Sequence, residues 1–449
     1  MGLWSSRRLF FATLTSASVA ASSGLAFGYS SAAAFQIFLN VTWSSVFASC
    51  LNVGGLVGSL SSGYFLSKFG RRWTLIAGCL PGIIGWIWLR MSSNGVYERY
   101  SPTVLFICGR VMTGVSAGMT IPASASYLAE IAPPDWYNVF GTLTQLGIVC
   151  GIALAYLLGA LLPWENVALI DSILMVVLLL CVLVLPESPK WLAKAGHLQQ
   201  ANAAQIWLHN SHSRTLSTSD MKTVEDGDSV EPETQHTFWD YIFPCRAIPP
   251  SQYSRLRVTA LLMAFQQLTG INAILYFAES VCLFAGLSWA STCALTLGIF
   301  QIIFTLISAP VVHRVSRRKV LMWTAVIMSV AHVLHGCIFL KIHIGPQNIL
   351  LNIGGITCVV IFLFGFSVGW GPLPILLTMD LFPTATRGFA VGFVVAVNWV
   401  VSLIVTAMFE PLVVHMGSAV VFWMFALFCA FAFAFTRRYV PEVLPAEIH

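Results

Sequence analysis

Charge is what this chain lacks. Asp, Glu, Lys and Arg together make up 9% of its residues, where a soluble globular protein carries about 25%. That scarcity excludes a soluble globular protein. Cysteines in paired spacing are missing too: the eleven present are mostly scattered through apolar stretches, so neither a disulfide framework nor a metal site is expected. No convergent acid pair, nucleophile–base set or metal-ligand cluster stands out. The chain is therefore expected to have no catalytic residues, no metal and no cofactor, and not to be an enzyme.

Hydrophobic residues supply 57% of the chain, gathered into runs of about twenty, long enough to cross a ~30 Å hydrocarbon layer. Spans are predicted near 9–32, 44–66, 73–91, 103–128, 139–161, 167–185, 256–281, 290–312, 320–340, 349–371, 389–410 and 417–436. The runs lack the alternation of barrel strands, which leaves helices as the spanning element. The fold class is thus an all-α membrane protein of twelve transmembrane helices, with the lipid bilayer as its surroundings. Basic residues mark alternate loops and both ends: Arg7–Arg8, Lys68–Arg71–Arg72, Lys190–Lys194, Arg255–Arg257, Arg314–Arg317–Arg318–Lys319, Arg387 and Arg437–Arg438. Both termini are therefore expected in the cytoplasm. The net charge of +5 reflects that topology rather than nucleic-acid binding. "RRLFFATLTSASVAA" reads as a retained first helix, because the polar "FGYSS" follows it. Met1-Gly2 with Ser6 is read as a chance match to an acylation pattern. Asn40-Val41-Thr42 forms a glycosylation sequon in the first outside loop.

The chain divides into an N-terminal bundle (1–185), a cytoplasmic linker (186–254), a C-terminal bundle (255–437) and a tail (438–449). Residues 209–237 are acidic and poor in apolar side chains, so they are expected to be largely disordered, with short helices before them. The halves echo each other at an offset of roughly 250 residues. "GYFLSKFGRRWTL" (63–75) answers "APVVHRVSRRKVL" (309–321), "AEIAPPDWYNVFG" answers "MDLFPTATRGFAVG", and Pro186-Glu187 answers Pro441-Glu442. Two parallel six-helix repeats around a midplane site are a transporter design.

In order along nearly the whole chain come "GRR" (70–72), "GR" (109–110), "PESPKWL" (186–192), "QQLTGIN" (266–272), "GWGPLP" (369–374) and "NW" (398–399). Together they resemble the sugar porter family of the major facilitator superfamily. "FGYSS", "QII" and "VGWGP" are similar to the class III animal facilitative glucose transporters and to insect trehalose transporters. The resemblance implies a major facilitator fold and a small-molecule sugar as partner, with the protein residing in the plasma membrane or an intracellular vesicle membrane. It also implies that Gln145, Gln266, Gln267, Asn272, Gln301, Asn398 and Trp399 contact substrate. Chemistry agrees: Gln and Asn both donate and accept without charge, which suits a neutral polyol. The competing reading of the amides is glue between helices, and of Trp399 simple packing.

On a straight helix Gln266, Gln267 and Asn272 would point at about 0°, 100° and 240°, so the seventh span is expected to break near Thr269–Asn272. Gly365, Gly369, Gly371, Pro372 and Pro374 predict a bend in the tenth span, the expected outer gate. Ile375 stands where the family usually has Trp. The family's charges clamp the two halves together at the cytoplasmic face; their matches here are Arg71, Arg72, Glu130, Glu187, Arg317, Arg318, Asp380, Arg387 and Glu442. Departures at Ser67, His313, Tyr137-Asn138, Ser316 and "PEVLP" imply a weaker latch. Proton-coupled members carry an Asp in "FGYD", where this chain has Ser30. Arg110 is retained as an intramembrane charge, with Asp171, Glu279 and Glu410 as candidate partners, each of which also reads as an interface-facing charge. His332 and His335 are read as packing or interfacial residues. Facilitated diffusion of a hexose or disaccharide is the leading reading. A proton symporter and a non-transporting sugar sensor are the alternatives.

Overall fold

The computed structural model describes residues 7–37, 41–93, 102–133, 136–209, 248–284, 289–344 and 349–442. Twelve helices among them are long and apolar enough to cross a membrane. In the first half these are α1 (Arg7–Ile37), α2 (Val41–Lys68), α3 (Arg71–Met91), α4 (Pro102–Ile131), α5 (Tyr137–Leu161) and α6 (Trp164–Val184). Two short helices follow, α7 (Pro189–Lys194) and α8 (Leu198–His209), as the sequence suggests before the acidic segment. That segment, and the Asn40 sequon, lie outside the described residues.

The second half opens with a span in three pieces, α9 (Tyr253–Leu268), α10 (Ile271–Tyr276) and α11 (Ala278–Phe284). Then come α12 (Ala290–Arg314), α13 (Arg317–Ile344), α14 (Ile349–Gly365), α15 (Leu373–Leu381), α16 (Thr384–Met416) and α17 (Ser418–Tyr439). The tenth span runs from α14 into α15, ten residues beyond its expected end at 371. Its prolines bend the helix without stopping it.

Helix α6 shows how such a sequence sorts its faces. Asp171, Met175, Leu178 and Val182 are buried, whereas Ile173, Val177, Leu180 and Val184 are exposed. Both faces are apolar, as lipid requires. Inside the first half, α1 packs on α5 and α2 on α4 through glycines that bring backbones together. A Cβ on Gly24 would overlap the Ile148 carbonyl, and one on Gly54 the Val111 carbonyl. The halves meet where α2 lies along α16 and α5 along α12.

One expectation is overturned. Cys282 on α11 and Cys293 on α12 form a disulfide. Their spacing in sequence gave no pairing signal; the fold brings the two helix ends together at the end of the bundle opposite the basic loops, here called the far end.

Candidate functional site

The seventh span breaks where expected. Gly270 has φ of 85°, the left-handed region that favours glycine, and a Cβ there would sit 2.6 Å from the Phe425 ring. Two backbone carbonyls beside the break are occupied: Thr269 Oγ1 donates to Gln266 O at 2.8 Å, and His332 Nε2 lies 3.0 Å from Thr269 O. His332 and His335 are buried among Phe362, Phe422 and Phe425. They are packing residues, not interfacial ones.

The tenth span bends through a wide turn at Phe366–Trp370, with Gly371 N bonded to Phe366 O at 2.7 Å. Proline has no N–H, so Pro372 and Pro374 leave the carbonyls four residues earlier without their helical donors. Those carbonyls belong to Val368 and Trp370. Ser308 donates to the first at 3.1 Å, and Gln266 Nε2 to the second at 2.6 Å and to Gly371 O at 3.1 Å. Gln266 thus braces the break in the tenth span.

Three sequence-predicted amides form one circuit. Asn398 Nδ2 donates to Gln266 Oε1 at 2.7 Å, and Gln267 Nε2 donates to Asn398 Oδ1 at 3.0 Å. Gln145 of the first half approaches the break in the tenth span, its amide group 3.4 Å from where a Cβ of Gly371 would lie. Asn272 faces away from this circuit, one turn along α16, and donates to Ser402 at 2.6 Å. Trp399 lies over Gly55, with its ring 5.8 Å from Phe27 and edge-on to it. Both partners belong to the first half. Several polar atoms of the sequence-predicted residues are buried without a hydrogen-bond partner among the described residues: Gln267 Oε1, both amide atoms of Gln301 on α12, and Trp399 Nε1. An orphaned buried amide atom costs about 1–3 kcal/mol, a cost that a polyhydroxylated ligand would relieve. The set is neutral, so it suits a sugar rather than an ion.

Arg110 departs from expectation. None of Asp171, Glu279 and Glu410 forms an ion pair with it among the described residues. Its guanidinium instead donates to Ser30 Oγ and to Ala26 O and lies 4.5 Å from the centre of the Phe47 ring. The serine that replaces an acid is itself the partner. The three acids do not face an interface either. They are 1%, 2% and 7% exposed respectively: Glu410 accepts from Ser44 at 3.3 Å and Ser45 at 2.8 Å, while neither Asp171 oxygen has a partner among the described residues.

Among the described residues, the ion pairs of the charges at the basic end lie within each half. Arg71, opening α3, pairs with Glu130 at the end of α4 at 2.6 Å, and Ser188 donates to the same carboxylate. Arg317, opening α13, pairs with Asp380 on α15. Glu187 accepts from the backbone N–H groups of Arg71 at 2.7 Å and Ser188 at 2.9 Å; burial nevertheless raises its carboxyl above the usual range. Arg72 and Arg318 reach the carbonyls of Leu183 and Arg437, and Arg387 that of Phe382. Each acid sits beside the helix start that its repeat dictates, which explains the register of the acids and places these bonds inside each bundle.

Sequence reasoning missed Asn52, Tyr276, Ser402 and Thr406, which form a buried hydrogen-bonded group across the halves. Asn52 carried a weaker form of the signal at 266–272, a single amide in an apolar run.

Known proteins agree with this architecture. The model of the family described as "Sugar (and other) transporter" matches residues 8–447. The chain is 29% identical to the mouse protein named solute carrier family 2, facilitated glucose transporter member 8, over 97% of this chain and 92% of that protein. It is 30% identical to the Arabidopsis thaliana protein named sugar transporter ERD6-like 6, over 93% and 84%. A facilitated trehalose transporter Tret1 of Drosophila mojavensis is 28% identical over 87% of this chain and 44% of its own. The fold matches the xylose transporter XylE of E. coli in a partially occluded inward-open conformation, with a TM-score of 0.78 and 20% identity over 98% of this chain and 99% of that one. The chain belongs to the sugar (and other) transporter family, on the major facilitator fold.

Proposed function

We propose that this protein carries a neutral sugar of the hexose class down its gradient by alternating access, with both termini in the cytoplasm and the far end outside. The observation that supports this reading most directly is the group of buried, uncharged and partly orphaned polar atoms on Gln267, Gln301 and Trp399. Neutral donors and acceptors exchange sugar hydroxyls for water without moving charge. The names of the glucose and trehalose relatives point the same way. In the absence of an acid at Ser30, the buried arginine has a neutral partner, which fits uniport.

A second reading, proton-coupled symport, rests on Asp171, whose buried carboxylate has no hydrogen-bond partner among the described residues. Uptake of labelled D-glucose in transporter-null cells, with and without a protonophore, separates the two. Uptake unchanged by the protonophore is the expected result. Collapse of uptake on adding it selects symport, and sugar binding without uptake selects a sensor.

A further inference from the structure

The second half presents one polar seam to the first. On α16, Ser402, Thr406 and Glu410 follow Asn398 at intervals of four, so all four share a face. Opposite Ser402 and Thr406 lies Asn52 of α2, 0% exposed. Its Nδ2 donates to Thr406 Oγ1 at 2.8 Å. Its Oδ1 accepts from Ser402 at 3.1 Å and from the Tyr276 hydroxyl at 3.2 Å. One first-half side chain thus meets three side chains of the second half, on α10 and α16.

The hydrogen bonds of this group form one self-consistent arrangement. Thr406 commits its hydroxyl proton to Ser402 O at 2.8 Å, so towards Asn52 its oxygen can only accept. Ser402 commits its proton to Asn52, so towards Asn272 its oxygen can only accept, which is what the 2.6 Å bond from Asn272 requires. Asn52 therefore fixes Ser402, and Ser402 fixes Asn272.

We propose that Asn52 is a positioning residue that holds Asn272 through Ser402 and fastens the two halves at the far end. The proposal rests on the sugar-carrier reading for the role of Asn272. Release of Asn52 lets α10 and α16 part from α2 and loosens the Asn272 amide in the same event. Closure of the far end and the set of one ligand amide are then a single hydrogen-bonded state.

The test uses full-length protein in lipid nanodiscs without sugar, followed by amide hydrogen exchange, and labelled D-glucose uptake in transporter-null cells. Asn52→Leu keeps the approximate volume and removes every bond. Exchange across residues 271–284 and 402–416 should accelerate at least about tenfold, the scale of one lost neutral hydrogen bond where three are removed, with 253–265 unchanged. Maximal uptake should fall by a similar factor, and KM from outside should rise several-fold, because the Asn272 amide is no longer held in place. Tyr276→Phe keeps the ring against Phe27, should act in the same direction, and should add nothing to Asn52→Leu. Unchanged exchange in Asn52→Leu, or additive effects of the two variants, overturns the proposal. Should Asn52→Leu fail to fold, Tyr276→Phe and Thr406→Val carry the same exchange test. A wild-type protein that moves no sugar sinks the functional reading alone, since the exchange measurement needs none.

Discussion

Gln266 and Gln267 are adjacent in sequence and differ in role because a helix turns about 100° between neighbours. Gln266 braces the carbonyls that Pro374 and its neighbours leave free; Gln267 keeps one amide oxygen without a partner. The two should therefore fail differently. Gln266→Leu is expected to cost about 1–3 kcal/mol of stability by stranding buried carbonyls, seen as a lower melting temperature in detergent. Gln267→Ala removes one bond, to Asn398, and should lower the melting temperature less than Gln266→Leu, while glucose uptake falls at least about tenfold, the factor that 1.4 kcal/mol of lost binding gives. Arg110 yields a second test. Ser30→Asp puts an ionisable partner where a hydroxyl now sits, and uptake should become sensitive to a protonophore; insensitive uptake would show that a counter-charge at this position is not enough for coupling. The buried amides were legible as residues that need partners because polar side chains are rare in these spans. The choice between substrate and brace was not legible. It depends on carbonyls released more than a hundred residues away.

At the scale of the helix, the two broken spans support each other. Gly270 permits the kink in the seventh, and Pro372 and Pro374 force the bend in the tenth; Gln266 joins them. Gly270→Ala should combine left-handed strain of about 1–2 kcal/mol with overpacking against Phe425 of about 1–3 kcal/mol. The expected result is a sharp loss of folded protein by size-exclusion chromatography, and a wild-type yield would show that the kink relaxes. Both breaks could be read from the chain, because glycine and proline act on their own backbone. The contribution of His332 could not, since its partner is the carbonyl of Thr269, which every residue type possesses. Span ends were the least accurate feature: α16 covers Thr384–Met416 against an expected 389–410, since helices continue past the hydrophobic layer without any change in pattern.

At the scale of the molecule, twelve spans followed directly from hydropathy, whereas the Cys282–Cys293 bond needed the fold. That bond lies at the end which the basic loops assign to the outside, where disulfides persist. Cys282→Ser is expected to lower stability by about 2–4 kcal/mol, and alkylation mass spectrometry of the wild type should find this pair protected until a reductant is added. The glycine contacts of the first half carry a different consequence. Where Gly24 and Gly54 let backbones touch, neighbouring helices cannot slide past one another without a steric collision. The N-terminal bundle is then a stiff block, and the work of a transport cycle falls on its kinked partner. Natural variation should divide accordingly: changes along those seams extinguish the protein altogether, while changes near the kinks retune its speed and choice of cargo.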